Sequence, residues 1–266
     1  MIRWIRQDPR LFADSIGGVP STLPTHPLAV LPLKVWRPRW FDGVALATGA
    51  CSPDFAYALD APGVRIYSHT IAALFWWSVP TAVAVAWLAR LGAPAVAAHL
   101  PGSLREYGVL GRVRHPWYVT ALSALIGAIS HLLWDLVTHT GPVEQWYLVR
   151  QISDGSALLL MPLFIWYCTS RHLVRQWHGA APPVRRRPVR FWGVSIAVGA
   201  AGALLTYAAG DHRLTFPWFG YPEHIHVLGV RLMASAALGL LAGAAAVQSP
   251  RAVADRSPVA ASLPRR

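Results

Sequence analysis

Long apolar runs separated by short polar, mostly basic stretches set the pattern of this chain. Residues 71–89 are apolar and start just after His69. Residues 117–138 are apolar apart from His131 and Asp135, 155–170 form a shorter run, 191–209 are rich in small residues and carry no charge, and 225–247 are similar with Arg231 near the start. About 20 consecutive apolar residues carry a helix across a bilayer core, so these runs predict an all-α, polytopic membrane helical bundle. Further upstream, 43–60 is a marginal run, broken by Pro53 and carrying Asp54, and the run from His26 to Val35 is interrupted by Pro27 and Pro32 and too short to span. Counting 43–60 as a crossing gives about six transmembrane helices, the preferred count; reading it as re-entrant gives five.

The charges between the runs alternate. Loop 90–116 holds Arg90, Arg105, Arg112 and Arg114 against Glu106, and loop 171–190 holds Arg171, Arg175, Arg185, Arg186, Arg187 and Arg190. Loops 139–154 and 210–224 each hold a single arginine, Arg150 and Arg213, against two acidic residues. Arginine-rich loops stay on the cytoplasmic side, which places 90–116, 171–190 and the tail after 250 there. The expected location is the cytoplasmic (inner) membrane of a bacterium, multi-pass. The N-terminus lacks an apolar core before Gly17, so no cleavable signal peptide is expected.

Composition agrees with this picture. Of the 266 residues, 54% are hydrophobic and 14% charged, against about 25% charged in soluble domains. The net charge of +12 reads as topology signalling and contact with anionic lipid head groups. The basic residues fall in short blocks without aromatic interleaving, so nucleic acid is not an expected partner; membrane lipid is. Cys51 and Cys168 form no CxxC pair, so neither a disulfide framework nor a thiolate zinc site is supported. The expected organisation is a membrane-embedded domain over 1–175 carrying the chemistry, two further transmembrane helices over 176–247 acting as scaffold, and a disordered tail over 248–266.

The chemistry concentrates in His131-Leu-Leu-Trp-Asp135-Leu-Val-Thr-His139. Three ionisable residues recur every four positions and form a slanting stripe on one helix face. His131 and His139 lie about 12 Å apart along the axis and cannot share one ion. Asp135 sits between them and is able to serve either or to bridge two ions. Ionisable groups at membrane depth are expensive and usually mark function, although interhelical hydrogen bonding and a proton relay remain open readings. Ser52-Pro53-Asp54 adds a carboxylate at a proline break, Tyr67-Ser68-His69-Thr70 adds a histidine before a span, and Pro24-Thr25-His26-Pro27 adds another. Nitrogen and carboxylate donors without cysteine suit zinc or another divalent transition metal. The candidate ligands are therefore His26, Asp54, His69, His131, Asp135 and His139, and Asp54 and Asp135 are the candidate catalytic carboxylates. Glu223-His224-Ile225-His226 is a weaker candidate, because neighbouring positions on a helix point apart. His99, His115, His172 and His178 read as surface residues, and Trp76, Trp77, Trp117 and Trp146 as interface anchors.

The order His26, Asp54, His69, His131, Asp135 resembles the all-helical zinc-dependent phospholipase C and nuclease-like phosphoesterases. By that resemblance Asp54, His69, His131 and Asp135 would hold one ion, and His26 with Asp135 a neighbour. The later His-x-x-x-Glu of that family is missing here; Gln151, Ser153 and Asp154 stand in that region, which removes support for a third ion unless His139 contributes. A closer resemblance is to a bacterial membrane family catalogued as domain of unknown function 4184. It is carried by Thr25-His26-Pro27, Gly49-x-x-Ser52-Pro53-Asp54, Ser68-His69-Thr70 and Ser130-His131-x-x-Trp134-Asp135-x-x-Thr138-His139, over roughly residues 22–175. The chain also looks like the membrane-bound metal-dependent hydrolases induced with DNA damage, which share Pro-Asp and Thr-His elements.

These readings lead to a membrane-bound, metal-dependent hydrolase of phosphoesters, lipid head groups or a small molecule among the expected substrates, using water acidified by a bound divalent ion. A metal or proton transporter and a scaffold with a structural metal are the alternatives. One conflict stands. If 43–60 crosses the membrane, His26 starts on the opposite side from His69 and His139. Either 26–60 forms a pair of short re-entrant helices, or His26 is not a ligand.

Overall fold

The computed structural model describes residues 25–59, 66–138, 143–209 and 225–248, and all regular structure among them is helical. The basic lead-in, His139, the Glu223-His224 pair and the tail lie outside the described residues. Two short helices come first: α1 (Thr25–Trp36) and α2 (Gly43–Cys51), followed by a 3-10 turn, Asp54–Ala58. Then come α3 (Ile71–Ala98), an irregular 3-10 segment (Gly102–Arg112), α4 (Trp117–Thr138), α5 (Val143–Ser170), the short α6 (Leu173–His178), α7 (Pro188–Ala209) and α8 (Ile225–Gln248). Within these, Ile71–Ala98, Trp117–Thr138, Pro188–Ala208 and Val227–Gln248 are long and apolar enough to cross a membrane, and α5 contributes a shorter apolar stretch, Gly155–Ser170.

Segment 43–60 does not form a spanning helix, which corrects the six-crossing count. Helix α2 has nine residues and so reaches about 14 Å, and Pro53 ends the helical run. Together with α1 it forms a hairpin whose two ends return to the same place. Asp42 starts α2 as its N-cap, its carboxylate accepting the Ala45 N–H at 3.2 Å. The same side chain accepts from the Thr120 hydroxyl at 2.8 Å and pairs with Arg90, while the Asp42 N–H donates to Ser123 Oγ at 3.0 Å. Burial works to raise the Asp42 carboxyl, but Arg90, Thr120 and the Ala45 N–H outweigh it and hold it below the usual carboxylate range. At the hairpin tip the Lys34 ammonium donates to the carbonyls of Pro38 (2.6 Å) and Phe41 (2.9 Å). Trp36 and Trp40 stand exposed there, with Arg37 over both rings.

Helix α2 runs parallel to α4 in constant register: residues 42, 46 and 50 meet 123, 127 and 131. Glycine makes this contact possible. A Cβ on Gly49 would run into the Ala124 carbonyl, and one on Gly127 would meet the Leu46 carbonyl and come 2.6 Å from Ala50 N. Small residues at the crossing let two backbones touch, the usual device for packing helices where lipid supplies no hydrophobic drive.

Arg90 was expected in a loop but lies inside α3, which continues to Ala98. The Asp42 carboxylate explains this, because it neutralises a charge that would otherwise end the span. A π turn over Leu74–Ser78 precedes Pro80, absorbing the carbonyl that a proline cannot serve. The last pair, α7 and α8, packs through Gly239 and Gly243 against Ser195 and through Gly202 against Ser235. It joins the C-terminal half of α3 through Ala95, Phe191 and Ala244.

Candidate metal centre

Four elements bring the site together. His131 and Asp135 come from the last two turns of α4. Asp54 opens the 3-10 turn after Pro53, His26 lies in the first turn of α1, and His69 stands two residues before α3. Thr70 sets this last position as the N-cap of α3, its hydroxyl accepting the Ala73 N–H at 3.1 Å. Behind the turn, the Ser52 hydroxyl donates to the Gly49 carbonyl at 2.7 Å, and Trp77 Nε1–H donates to the Ser52 carbonyl at 3.0 Å. Trp77 therefore braces the site rather than anchoring at the interface.

Donor atoms converge at short range. His69 Nε2 is 3.2 Å from His131 Nε2 and 3.3 Å from Asp54 Oδ1. His131 Nε2 is 3.5 Å from Asp54 Oδ1 and 3.1 Å from Asp135 Oδ2, and His69 Nε2 is 3.6 Å from Asp135 Oδ2. A tetrahedral ion with bonds of 2.0–2.1 Å needs its donors about 3.3–3.4 Å apart. Five of the six edges of such a tetrahedron are thus present within a few tenths of an ångström. The second oxygen of Asp135, Oδ1, faces His26 Nε2 at 3.7 Å, so the carboxylate looks two ways. The His26 ring stacks on His131 with centroids 3.8 Å apart.

The hydrogen bonding suits ligation. His131 Nδ1 lies 2.7 Å from the Ala50 carbonyl oxygen. A carbonyl only accepts, so Nδ1 carries the proton, and Nε2, facing the cluster, is the atom that a metal would take. His69 Nδ1 has Ser68 Oγ at 3.1 Å as its outer partner. Burial pushes the His26 imidazole down to about 4. His26 and His131 are fully buried, whereas the side chains of His69 and Asp135 are 30% and 22% exposed. The site therefore opens on the His69–Asp135 side.

Of the six predicted ligands, the structure brings together His26, Asp54, His69, His131 and Asp135; His139 lies outside the described residues. Ser153, a poor ligand in sequence, accepts the Trp134 indole N–H at 3.1 Å and ties α4 to α5. The side chains of Gln151 and Asp154 lie outside the described residues. The Ala50 carbonyl and Ser68 hydroxyl were not singled out from sequence: the first is backbone, and the second showed only as part of the Ser-His-Thr string.

The chain belongs to the family described as Domain of unknown function (DUF4184), whose model matches residues 19–164 and so takes in all five converging residues. No curated protein and no solved structure matches the chain.

Proposed function

We propose that this protein is a zinc-dependent hydrolase of phosphoesters, in the cytoplasmic membrane of a bacterium, with lipid head groups as its substrate class. One observation carries the reading: among His69, His131, Asp54 and Asp135, five donor pairs lie 3.1–3.6 Å apart, close to the separation that zinc donors need, and His131 Nδ1 is held by the Ala50 carbonyl. Those four residues would hold one ion, and His26 with the outer oxygen of Asp135 a second. A divalent ion held by these residues would supply Lewis acidity, which would lower the pKa of water and offset charge on phosphate oxygens. Asp54 lends Oδ1 to the donor set and leaves Oδ2 to take a proton from water. Asp135 holds the two sets together, and the exposed edges of His69 and Asp135 admit the ester.

Charge distribution supports an outward-facing site. The arginine-rich stretches 99–116 and 171–190 lie at the ends of α3, α4 and α5 remote from His69, Asp135 and Thr138, and the positive-inside rule makes those ends cytoplasmic. The hairpin supports His26 lying on the same side as His69: it enters and leaves at the site, with Lys34, Arg37 and Arg39 near its tip. A transporter needs polar groups leading on from the site. Below it the α2–α4 seam is Leu46, Gly49, Ala124, Gly127 and Ala128, with no ionisable side chain before Asp42.

The test is phosphate release from phospholipid and nucleotide esters by purified, full-length protein, with zinc content measured on the same sample. Turnover should need metal and fall at least a thousandfold in Asp135→Asn and Asp54→Asn. Full turnover in a metal-free Asp135→Asn sample would refute the reading, and metal flux into proteoliposomes without ester turnover would favour the transporter.

A further inference from the structure

A second feature lies at the opposite end of α3. Pro94 and Ala98, in its last turns, wall a cavity of about 150 Å³ together with Gly108, Ala181, Pro182 and Val184, and Arg105 and Arg186 stand at its rim. The walls are apolar and small, and the rim is cationic. Arg105 uses Nε–H to hold the Leu100 carbonyl at 2.9 Å, which fixes its stem and leaves the outer guanidinium N–H groups for another acceptor. Glu106 is the sole acidic residue in α3, the 3-10 segment, residues 179–187, α7 and α8, and it is engaged by His172 Nδ1 at 2.8 Å. Among the described residues, no carboxylate pairs with either rim arginine.

The cavity wall is fastened in place. His99, expected at the surface, is buried: its Nδ1–H donates to the Ala95 carbonyl at 2.7 Å, and its Nε2 accepts the Arg187 N–H at 2.9 Å. Its ring stacks on Phe191 with centroids 4.2 Å apart. The linker is thus pinned one residue beyond Arg186. Opposite it, Gly111 allows the 3-10 segment to close on Pro94, where a Cβ would come 2.7 Å from Pro94 Cδ.

We propose that this cavity binds the phosphodiester head group of an anionic phospholipid from the cytoplasmic leaflet. Guanidinium groups match phosphate oxygens in a planar, bidentate way. The position at the end of a membrane span is head-group depth, and basic pockets between helices on the arginine-rich side are where acidic lipids dock. The lining has no aromatic ring on which a nucleobase would stack, which disfavours a nucleotide. The site is separate from the metal centre and does not depend on it.

The experiment is thermal unfolding of the purified full-length protein in a neutral detergent, titrated with phosphatidylglycerol, phosphatidylcholine or inorganic phosphate. Phosphatidylglycerol at tenfold over its Kd should raise the midpoint by about 2–3 °C; the other two should not. The double variant Arg105→Gln/Arg186→Gln should lose the shift, while Arg171→Gln/Arg175→Gln, which removes the same charge from exposed positions outside the cavity, should keep it. Asp135→Asn should also keep it. If the rim variant misfolds, Ala181→Trp, which blocks the cavity and spares both arginines, must abolish the shift instead. Equal protection by phosphatidylcholine, equal protection by inorganic phosphate, or equal loss in both arginine pairs would overturn the proposal.

Discussion

Gly127→Ala tests the link between helix packing and the proposed metal centre without touching a proposed ligand. The added methyl would meet the Leu46 carbonyl and sit 2.6 Å from Ala50 N. Real Cβ contacts begin near 3.0 Å, so α2 and α4 must part by about half an ångström, and neither contact is a flexible side chain that can turn away. Overpacking of this kind costs about 1–3 kcal/mol. The separation falls at the Ala50 carbonyl, which holds His131 Nδ1 at 2.7 Å, and at the Asp54 turn that follows it. Disturbing the group that orients a ligating histidine lowers metal affinity about 10–100-fold, which is about 1.4–2.7 kcal/mol by the standard conversion. The assay is competition for zinc against a chromophoric chelator, with thermal unfolding of the same samples. Gly155→Ala is the control: it lies in α5, where an added Cβ meets nothing within 4 Å, and a helical Gly→Ala change at an open position is neutral or mildly stabilising. Wild-type zinc affinity in Gly127→Ala would refute the claim that the α2–α4 seam sets the site.

Elemental analysis should find two zinc ions per chain in the wild type, one in His26→Ala and none in Asp135→Asn; equal metal content in all three would remove Asp135 as the bridging group. Asp42→Ala should lower the unfolding midpoint sharply, because it strands Arg90 in a buried position, at a cost of about 3–5 kcal/mol. Asp42 has a depressed folded pKa, so its contribution is complete above the unfolded value near 4 and is lost as pH falls through the folded value. Thermal scans between pH 3 and 7 should show that acid-side loss in the wild type and less of it in Asp42→Asn; identical profiles would contradict the assignment. For sidedness, Tyr67→Cys in a background lacking Cys51 and Cys168 should react with an impermeant maleimide added to intact spheroplasts, while Arg175→Cys should react only after lysis. The reverse labelling would turn the proposed topology over.

Much of the candidate site was legible because its residues carry local marks. The spacing of His131 and Asp135 puts both on one face of any helix, Pro53 announces a break where a carboxylate can turn inward, and Thr70 fixes His69 at a helix start. The hairpin was harder to read. Hydropathy measures length and apolarity in a window, and 43–60 has enough of both to resemble a crossing; only Pro53 and the short reach of α1 argued otherwise. Arg90 misled for the same reason. A charge at the edge of an apolar run looks like a loop, and its neutralising partner, Asp42, is 48 positions away. His99 was placed at the surface because its partners are the backbone of Ala95 and Arg187, which leave no trace in side-chain pattern.

The two polar clusters of the α2–α4 seam depend on each other. Ionisable groups at membrane depth persist only with partners, and here they gather at its two ends: Asp42 with Arg90 at one, the carboxylates and imidazoles at the other. Between them the seam is glycine, alanine and one leucine, too tight to slide. The lower cluster therefore acts on the upper one through backbone register. With Asp42 bonded to Ser123, Leu46 must face Gly127 and Ala50 must face His131. A slip by one residue would carry the Ala50 carbonyl about 100° around the helix and release the His131 ring. Asp42, about 20 Å from Asp135 along α4, thereby holds the geometry of the candidate site by fixing which residues of two helices meet.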